Sequence, residues 1–337
     1  MSVNRLMTYL TPAIMLILNF SILVIVWVGS SLISNGNLQV GQLMAFIQYA
    51  IQIMFSVVMA SVALTAYPRA SVSASRMMEV LDIKPGSAQP INKHIRKQIK
   101  GKSLQLNDVS FYYPGAEQPA LSNINMTIKP NRINAIVGGT GCGKSTLLQL
   151  LLKFYKPTSG SIHAGSVPLE DFKEADWRNA VGYVPQKNHL FTGTMEENIR
   201  LGNVTATNEE LLNAIEDANL RPLIESFSNK HHTNLKPKAA NMSGGQKQRV
   251  ALARAFISNA PILMFDDSLS ALDFKTSEYV QASFRKNTNV STIIVASQDI
   301  HAVSYADHIV ILDKGKVVAS GSYQQLTADD SFRVKEG

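Results

Sequence analysis

The chain has a single cysteine, Cys142, in 337 residues. That excludes an internal disulfide framework and fits a reducing compartment. Charge is scarce toward the N-terminus. Of 32 Lys and Arg and 25 Asp and Glu residues only Arg5 precedes Pro68, and from Leu6 to Pro68 there is neither a charge nor a histidine. The mean hydropathy of +0.02 therefore averages an apolar, membrane-compatible part with a polar, soluble one. Aromatic residues are 7% of the chain and do not interleave with basic ones in the manner of RNA-binding surfaces. The net charge of +7 and the pI near 9.3 accordingly read as the Lys and Arg excess of a cytoplasmic face beside anionic lipid. Nucleic acid is not expected as a partner.

What is present begins with two long apolar runs. Leu10 to Ile33 would be about 36 Å as a helix, against a hydrocarbon core of about 30 Å, so it can span with some tilt. It is too long for a signal-peptide core and lacks a small-residue cleavage site before a polar chain. Ser34-Asn35-Gly36-Asn37 has turn chemistry, and a second run follows from Val40 to Tyr67. Arg5 precedes the first run, and Arg69, Arg76 and Lys84 follow the second, which places both ends on the cytoplasmic side. Gln48, Gln52 and Ser56 recur on one helical face, and Asn19 is a lone polar residue in the first run. They fit either a substrate pathway or hydrogen bonds between helices. Two helices cannot enclose a pathway alone, so further helices are expected, in the same protein or in other chains.

Ser71 to Leu81 stays helical and gains charge, and Lys84-Pro85-Gly86-Ser87, with Pro90, should end the helix and mark a boundary. Lys93, Arg96, Lys97, Lys100 and Lys102 read as a solvated linker face. Strand patterns follow at Ser103 to Tyr112, Leu121 to Ile128 and Ile133 to Val137.

The last of these opens onto Gly138-Gly139-Thr140-Gly141-Cys142-Gly143-Lys144-Ser145-Thr146 and the apolar run Leu147 to Leu151. This is strand, glycine-rich loop and helix, matching G-x-x-x-x-G-K-[ST]. The glycines let successive N–H groups converge on phosphate oxygens where the helix N-terminus adds partial positive charge. Lys144 would reach the β- and γ-phosphates, and Ser145 would offer its hydroxyl to Mg²⁺.

Further short stretches carry the chemistry. They are Phe111-Tyr112-Tyr113-Pro114, Val184-Pro185-Gln186, Met242-Ser243-Gly244-Gly245-Gln246, Ile262 to Asp266 and Ser270-Ala271-Leu272-Asp273. With the phosphate loop they make residues 102 to 330 resemble the nucleotide-binding domain of an ATP-binding cassette (ABC) exporter. The resemblance implies an α/β P-loop NTPase domain with a helical subdomain, preceded by two transmembrane helices. It implies ATP and Mg²⁺ as ligands. Tyr113 would stack on adenine, and Gln186 would touch Mg²⁺ and link the site to the membrane part. Asp266 would orient the metal's water shell. Ser243, Gly244, Gly245 and Gln246, with Met for the usual Leu at 242, would bind the γ-phosphate held by the opposite subunit, and residues 270–273 would connect the two sites.

Three positions depart from the family. After Asp266, which ends the stretch resembling the family's Walker B strand, the family usually has a glutamate that polarises the attacking water, and here it is Asp267. One carbon–carbon bond less withdraws the carboxylate by roughly 1.5 Å, and about 1 Å of misplacement can cost on the order of a hundredfold in rate. Counting back from Ala306-Asp307, the switch histidine is replaced by Gln298, which cannot carry a proton or positive charge. Lys236-Pro237-Lys238-Ala239-Ala240-Asn241 lacks the Gly-Glu pair common before the family signature, which Met242 to Gln246 resemble. These changes resemble the degenerate member of bacterial heterodimeric multidrug exporters, whose partner would have Glu and His at the altered catalytic positions.

The expected organisation is a membrane helix pair at 1–83, a linker at 84–101 and the nucleotide-binding domain at 102–337, with that domain cytoplasmic and the protein multi-pass in the cell membrane. Exporter half-subunits place their last two helices directly before this domain. The chain thus resembles the C-terminal portion of a half-transporter, as a fragment or a truncated reading frame, and a second half-transporter subunit is its expected partner. A truncated, non-transporting ATP-binding remnant is the alternative. A soluble cassette protein acting on ribosomes or DNA does not account for the apolar pair. Cys142, inside the loop, is expected to be shielded by bound nucleotide.

Overall fold

The computed structural model describes residues 2–82, 94–287 and 291–328. Its contacts divide the chain into two compact units, Met1–Gln89 and Pro90–Gly337.

The first unit is a hairpin of α1 (Ser2–Ser34) and α2 (Val40–Leu81). Gly36 turns the chain at φ +74°, where a side chain would be strained, and the N–H groups of Gly36 and Asn37 return to the carbonyls of Ile33 and Leu32. Gly29 lets the helices approach, since a Cβ there would lie 2.3 Å from Leu43 Cδ1. Both helices are long and apolar enough to cross a membrane, over Pro12–Ser34 and within Val40–Leu81. With 42 residues α2 is about 63 Å long, roughly twice a hydrocarbon core. The second apolar run therefore continues as one helix through Pro68, and its charged end at Arg69, Arg76 and Glu79 has length to spare beyond a bilayer. Gln48, Gln52 and Ser56 are exposed on α2, so either role expected of them needs helices other than α1. The turn expected at Lys84 to Ser87, and Pro90, lie outside the described residues.

The second unit opens with α3 (Ile95–Ile99), β1 (Leu104–Phe111) and β2 (Leu121–Ile128). Then β3 (Ile133–Val137) leads into α4 (Lys144–Leu151), β4 (Ser159–Ala164), β5 (Val167–Pro168), α5 (Glu174–Asn179) and β6 (Val181–Val184). A helical part follows, comprising β7 (Gly193–Thr194), α6 (Met195–Arg200), α7 (Asn208–Asp217), α8 (Arg221–Glu225), β8 (Asn234–Leu235) and α9 (Gly244–Ile257). The chain continues through β9 (Ile262–Asp266), α10 (Phe274–Asn287), β10 (Thr292–Ser297), β11 (His308–Asp313), β12 (Lys316–Gly321) and α11 (Tyr323–Ala328).

The central sheet has the order β12-β11-β3-β10-β9-β6. All pairs are parallel except β11 with β12. Every residue of β3, β9 and β10 is buried, which is why these segments read as unbroken apolar runs rather than alternating ones. A second, antiparallel sheet has the order β2-β1-β4-β5. Between the two sheets lies one core, with Leu104, Ile124, Ile136, Leu147 and Trp177. The other core joins the central sheet to the helical part through Val250, Phe256, Phe265 and Phe284. Sequence signals start the helices of this part. Thr194 with Glu197, Thr207 with Glu210 and Ser243 with Gln246 each form a capping box for α6, α7 and α9.

The basic stretch before β1 is solvated only in part: Lys97, Lys100 and Lys102 are exposed and Lys93 lies outside the described residues, but Arg96 and the isoleucines between the charges are turned inward. Ile95 and Ile99 of α3 are buried in the core between the sheets, each contributing about 1.5–3 kcal/mol of transfer energy. The Arg96 guanidinium donates to the carbonyls of Ser258 at 3.0 Å and Asn179 at 2.7 Å. Burial lowers its pKa from the ordinary arginine value. A helix this short shows no periodicity, so the sequence did not disclose that Ile95, Arg96 and Ile99 face the domain while the lysines face solvent.

Candidate nucleotide-binding site

The parallel register brings distant residues to the carboxyl edge of the sheet. Val137 pairs with Ser297, and Ala296 with Asp266, so the chain leaves β3 for the glycine loop beside Gln298 and beside the Asp266-Asp267 pair. Gly138 is fixed by its neighbours, since a Cβ there would lie 2.1 Å from the Leu312 carbonyl oxygen and 2.6 Å from Cys142 Sγ. Gly143, at φ +107°, is the residue from which α4 starts, and a Cβ on it would press on Leu121 and the Ala120 carbonyl. The first N–H groups of α4, from Lys144, Ser145 and Thr146, have no partner within the helix and face the same region as its positive dipole end.

Lys144 is buried, with 8% of its surface exposed, and its ammonium donates to the carbonyls of Gly138 at 2.6 Å and Gly139 at 2.9 Å. In this form the loop wraps its own cation. A cavity of about 400 Å³ lies over the loop, lined by Gly141, Gly143, Lys144, Ser145, Thr146 and Tyr113. The Tyr113 hydroxyl lies 3.0 Å from Thr146 Oγ1 and donates to Gln149 Oε1 at 3.2 Å. Its ring meets Phe111 and Tyr155 edge to face, which fixes it at the cavity wall. Gly139 and Thr140 complete the loop, with Gly139 open to solvent side-chain space.

Cys142 departs from expectation. Its thiol is 5% exposed without nucleotide and packs in the core between the sheets, and its carbonyl accepts from Gly315 N–H at 3.0 Å. The fold itself shields it, so no nucleotide is needed to do so.

Beyond the loop, Ser145 Oγ donates to Asp266 Oδ1 at 3.1 Å and the Tyr183 hydroxyl donates to Oδ2 at 3.4 Å. Burial raises the Asp266 pKa above the ordinary carboxylate value and the neighbouring Asp267 charge adds to the rise, while the bonds from Ser145 and Tyr183 and the Lys144 charge oppose it. Burial and the Asp266 charge likewise push the Tyr183 hydroxyl above the usual tyrosine range. Asp267 sits at φ +49°, a left-handed position uncommon for a residue with a side chain. Its Oδ2 accepts from Gln298 Nε2 at 2.8 Å and from Gln186 Nε2 at 3.4 Å, and Thr140 Oγ1 donates to Gln298 Oε1 at 3.2 Å. Gln298 thus bridges the glycine loop to Asp267.

Ser243, Gly244, Gly245 and Gln246 are not among the residues lining the cavity. Ser243 and Gly244 are exposed at the start of α9, and the Ser243 hydroxyl accepts from Gln246 N–H at 3.3 Å. Met242 is buried in the core below. Asp273 caps α10 by accepting from Thr276 N–H at 3.0 Å, and hydrogen bonding from the Thr276 side chain and then its backbone lowers the Asp273 pKa.

Residues 121–270, which include the glycine loop and Asp266, match the family model described as ABC transporter. The chain carries an ABC transporter domain. It is 36% identical over 321 residues to an ABC transporter ATP-binding protein of Mycobacterium tuberculosis, covering 94% of this chain and 55% of that one. Similarity to an ATP-binding/permease protein of Staphylococcus aureus named for multidrug export is 34% over 326 residues, covering 95% and 55%. Among solved structures, a bacterial Atm1-family ABC exporter with ATP bound superposes with a TM-score of 0.74 at 27% identity, over 97% of this chain and 57% of that one. The ABC exporter fold is therefore present, and the chain spans about half the length of the curated relatives it matches.

The sequence motifs did not disclose every wall of this ABC site. Lys314 and Gly315, in the turn between β11 and β12, also line the cavity, and Gly315 joins Cys142 to the chain start of β2 through Ser122 N–H. Asp313-Lys314-Gly315-Lys316 reads as a hairpin turn, but its position against the loop is set by sheet order. Tyr183, Ala120 and Pro119 are the other additions.

Proposed function

We propose that this chain is the ATP-binding and permease part of an ABC exporter subunit. It couples ATP binding and hydrolysis to export of drugs or other amphipathic substrates across the cytoplasmic membrane, with a second half-transporter subunit as partner. The loop of Gly138 to Thr146 holds the phosphates, Lys144 exchanges its loop carbonyls for phosphate oxygens, and Tyr113 receives the adenine. Ser145, Asp266 and Gln186 are oxygen donors fitting Mg²⁺, and the adjacent Ser145 hydroxyl and buried Asp266 carboxylate suit a hard cation. When bound, that ion supplies charge neutralisation to the transferring phosphoryl group.

The observation that carries the division of labour is the bond from Gln298 to Asp267. The carboxylate placed to orient water is short, held by an amide, and faces no imidazole that could stabilise developing charge. The site built on Lys144 therefore binds ATP and turns it over slowly. Ser243 to Gln246, exposed and outside this chain's own cavity, complete the partner's site, where most hydrolysis occurs.

The test is restoration. In the assembled two-subunit transporter, where the partner's signature faces this chain's loop, Asp267→Glu combined with Gln298→His should raise turnover at the Lys144 site on the order of tenfold or more while changing ATP affinity little. A wild-type Lys144 site that already hydrolyses rapidly, or a double variant with no gain, would refute the slow-site reading.

A further inference from the structure

A cluster unrelated to the nucleotide loop lies in the helical part. Glu196 is in the first turn of α6, and His231 and His232 occupy the 3₁₀ turn Lys230–His232. One carboxylate oxygen, Glu196 Oε2, stands 3.2 Å from His232 Nδ1 and 3.6 Å from His231 Nε2. The three side chains each offer one ligand atom, and these atoms all lie within 4.8 Å of one another.

The two imidazoles pack on each other, their ring centroids 4.2 Å apart, so that both present a nitrogen to the same oxygen. In a tetrahedral zinc site, bonds of about 2.0–2.2 Å place neighbouring ligand atoms about 3.3–3.6 Å apart. The spacings of 3.2 and 3.6 Å from Glu196 Oε2 lie close to that range.

The ligand set is also held from outside. Arg200 Nε donates to the other oxygen, Glu196 Oε1, at 2.7 Å, and is itself fixed by bonds to the Ala206 carbonyl and Asn208 Oδ1. Oε2 is thereby left to the imidazoles, as outer hydrogen bonds orient ligating carboxylates in metal sites. The turn is tied to α6 by the bond from Met195 N–H to the Thr233 carbonyl at 3.0 Å and by the pairing of β7 with β8. Two short elements distant in sequence thus bring the three groups together before any ion arrives.

We propose that Glu196, His231 and His232 bind one divalent transition-metal ion of the zinc class. Two imidazoles and a carboxylate form a donor set suited to such ions. The fourth position is taken by water, on the side where the His232 side chain is 68% exposed. The ion closes the 3₁₀ turn onto α6. Eleven residues after His232 the same chain reaches Ser243, passing β8 and the Asn241 side chain that accepts from Lys236 N–H at 3.0 Å. The site is therefore a clasp at the root of the signature segment, distinct from the Mg²⁺ and ATP residues.

The test uses the full chain in detergent, stripped with a chelator and titrated with Co²⁺ alone and then Zn²⁺ alone. One equivalent of Co²⁺ should bind with the intense visible absorption of tetrahedral coordination, and Zn²⁺ should displace it. His231→Ala, His232→Ala and Glu196→Gln should each weaken binding by at least about tenfold, whereas Lys144→Ala should leave it unchanged. The exposed His232→Ala is the decisive variant, because its change leaves the Arg200 bond to Glu196 intact, and equal melting temperatures in metal-free buffer check the fold. Wild-type protein without the tetrahedral absorption, or His232→Ala that retains wild-type affinity, would overturn the proposal.

Discussion

On the proposed reading, ATP binding rests on Lys144. Its buried ammonium is satisfied by two loop carbonyls. Lys144→Ala removes both those bonds and the charge facing the phosphates, and should lower ATP affinity by at least about tenfold, more than any loss of stability explains. Equilibrium binding of labelled ATP by folded variant protein checks this, and unchanged affinity would contradict it. Asp266 makes the opposite trade. Its pKa is raised in the fold, chiefly by burial, so the neutral form is favoured by folding. Stability from this group is full below the unfolded carboxylate pKa and is lost as pH rises through the folded value. At neutral pH the ionised carboxylate is a cost borne by the nucleotide-free protein. Asp266→Asn should raise the melting temperature at neutral pH, with the gain vanishing under acidic conditions where both proteins are uncharged there, and should lower the Mg²⁺-dependent part of ATP affinity. Melting curves across that pH range, with and without Mg-ATP, separate the effects. A nucleotide-free variant less stable than wild type at neutral pH would show that the bonds from Ser145 and Tyr183 outweigh burial.

At the scale of elements, α9 begins with a cap whose hydroxyl has a second expected use. The Ser243 side chain accepts from Gln246 N–H while the Gln246 side chain accepts from Ser243 N–H at 2.8 Å. Ser243→Ala should therefore cost about 1 kcal/mol of stability, visible as a lower denaturation midpoint, and should leave ATP binding at the Lys144 loop as it was. A loss of that binding would mean that the signature serves its own chain's loop. The motifs of these elements were legible because each sits at an element boundary with its own local signal. The glycine loop follows a buried strand, Asp266 ends another, and Ser243 opens a helix. What stayed hidden was set by tertiary position. The β11–β12 turn meets the loop through sheet order, α3 is too short to show that Ile95 and Ile99 are core residues, and Cys142 is buried by packing against Gly138 and its surroundings. The Glu196, His231 and His232 cluster was hidden for the same reason, since nothing in the spacing of those residues joins them.

For the whole molecule, the charge-free stretch from Leu6 to Pro68 and the ABC domain make one functional reading only if the helices extend a larger membrane part and the nucleotide sites are shared between subunits. The hairpin of α1 and α2 leaves its polar face exposed, and the signature leaves its serine and glycine exposed. Both are surfaces that a transporter assembly would cover. The division of labour then assigns opposite weights to two residues of this chain. Asp267 faces its own loop through Gln298, whereas Ser243, exposed outside that cavity, is proposed to meet the partner's phosphate. The most direct measurement is the ATPase rate of the assembled two-subunit transporter carrying either Asp267→Asn or Ser243→Arg in this chain, with Ser243→Ala as the control for lost helix capping. Asp267→Asn is expected to reduce the rate only modestly, and Ser243→Arg, which sets a bulky cation where the hydroxyl should meet phosphate, to nearly abolish it. The reverse ranking, with Asp267→Asn the more damaging change, would contradict the assignment and make this chain's own site the working one.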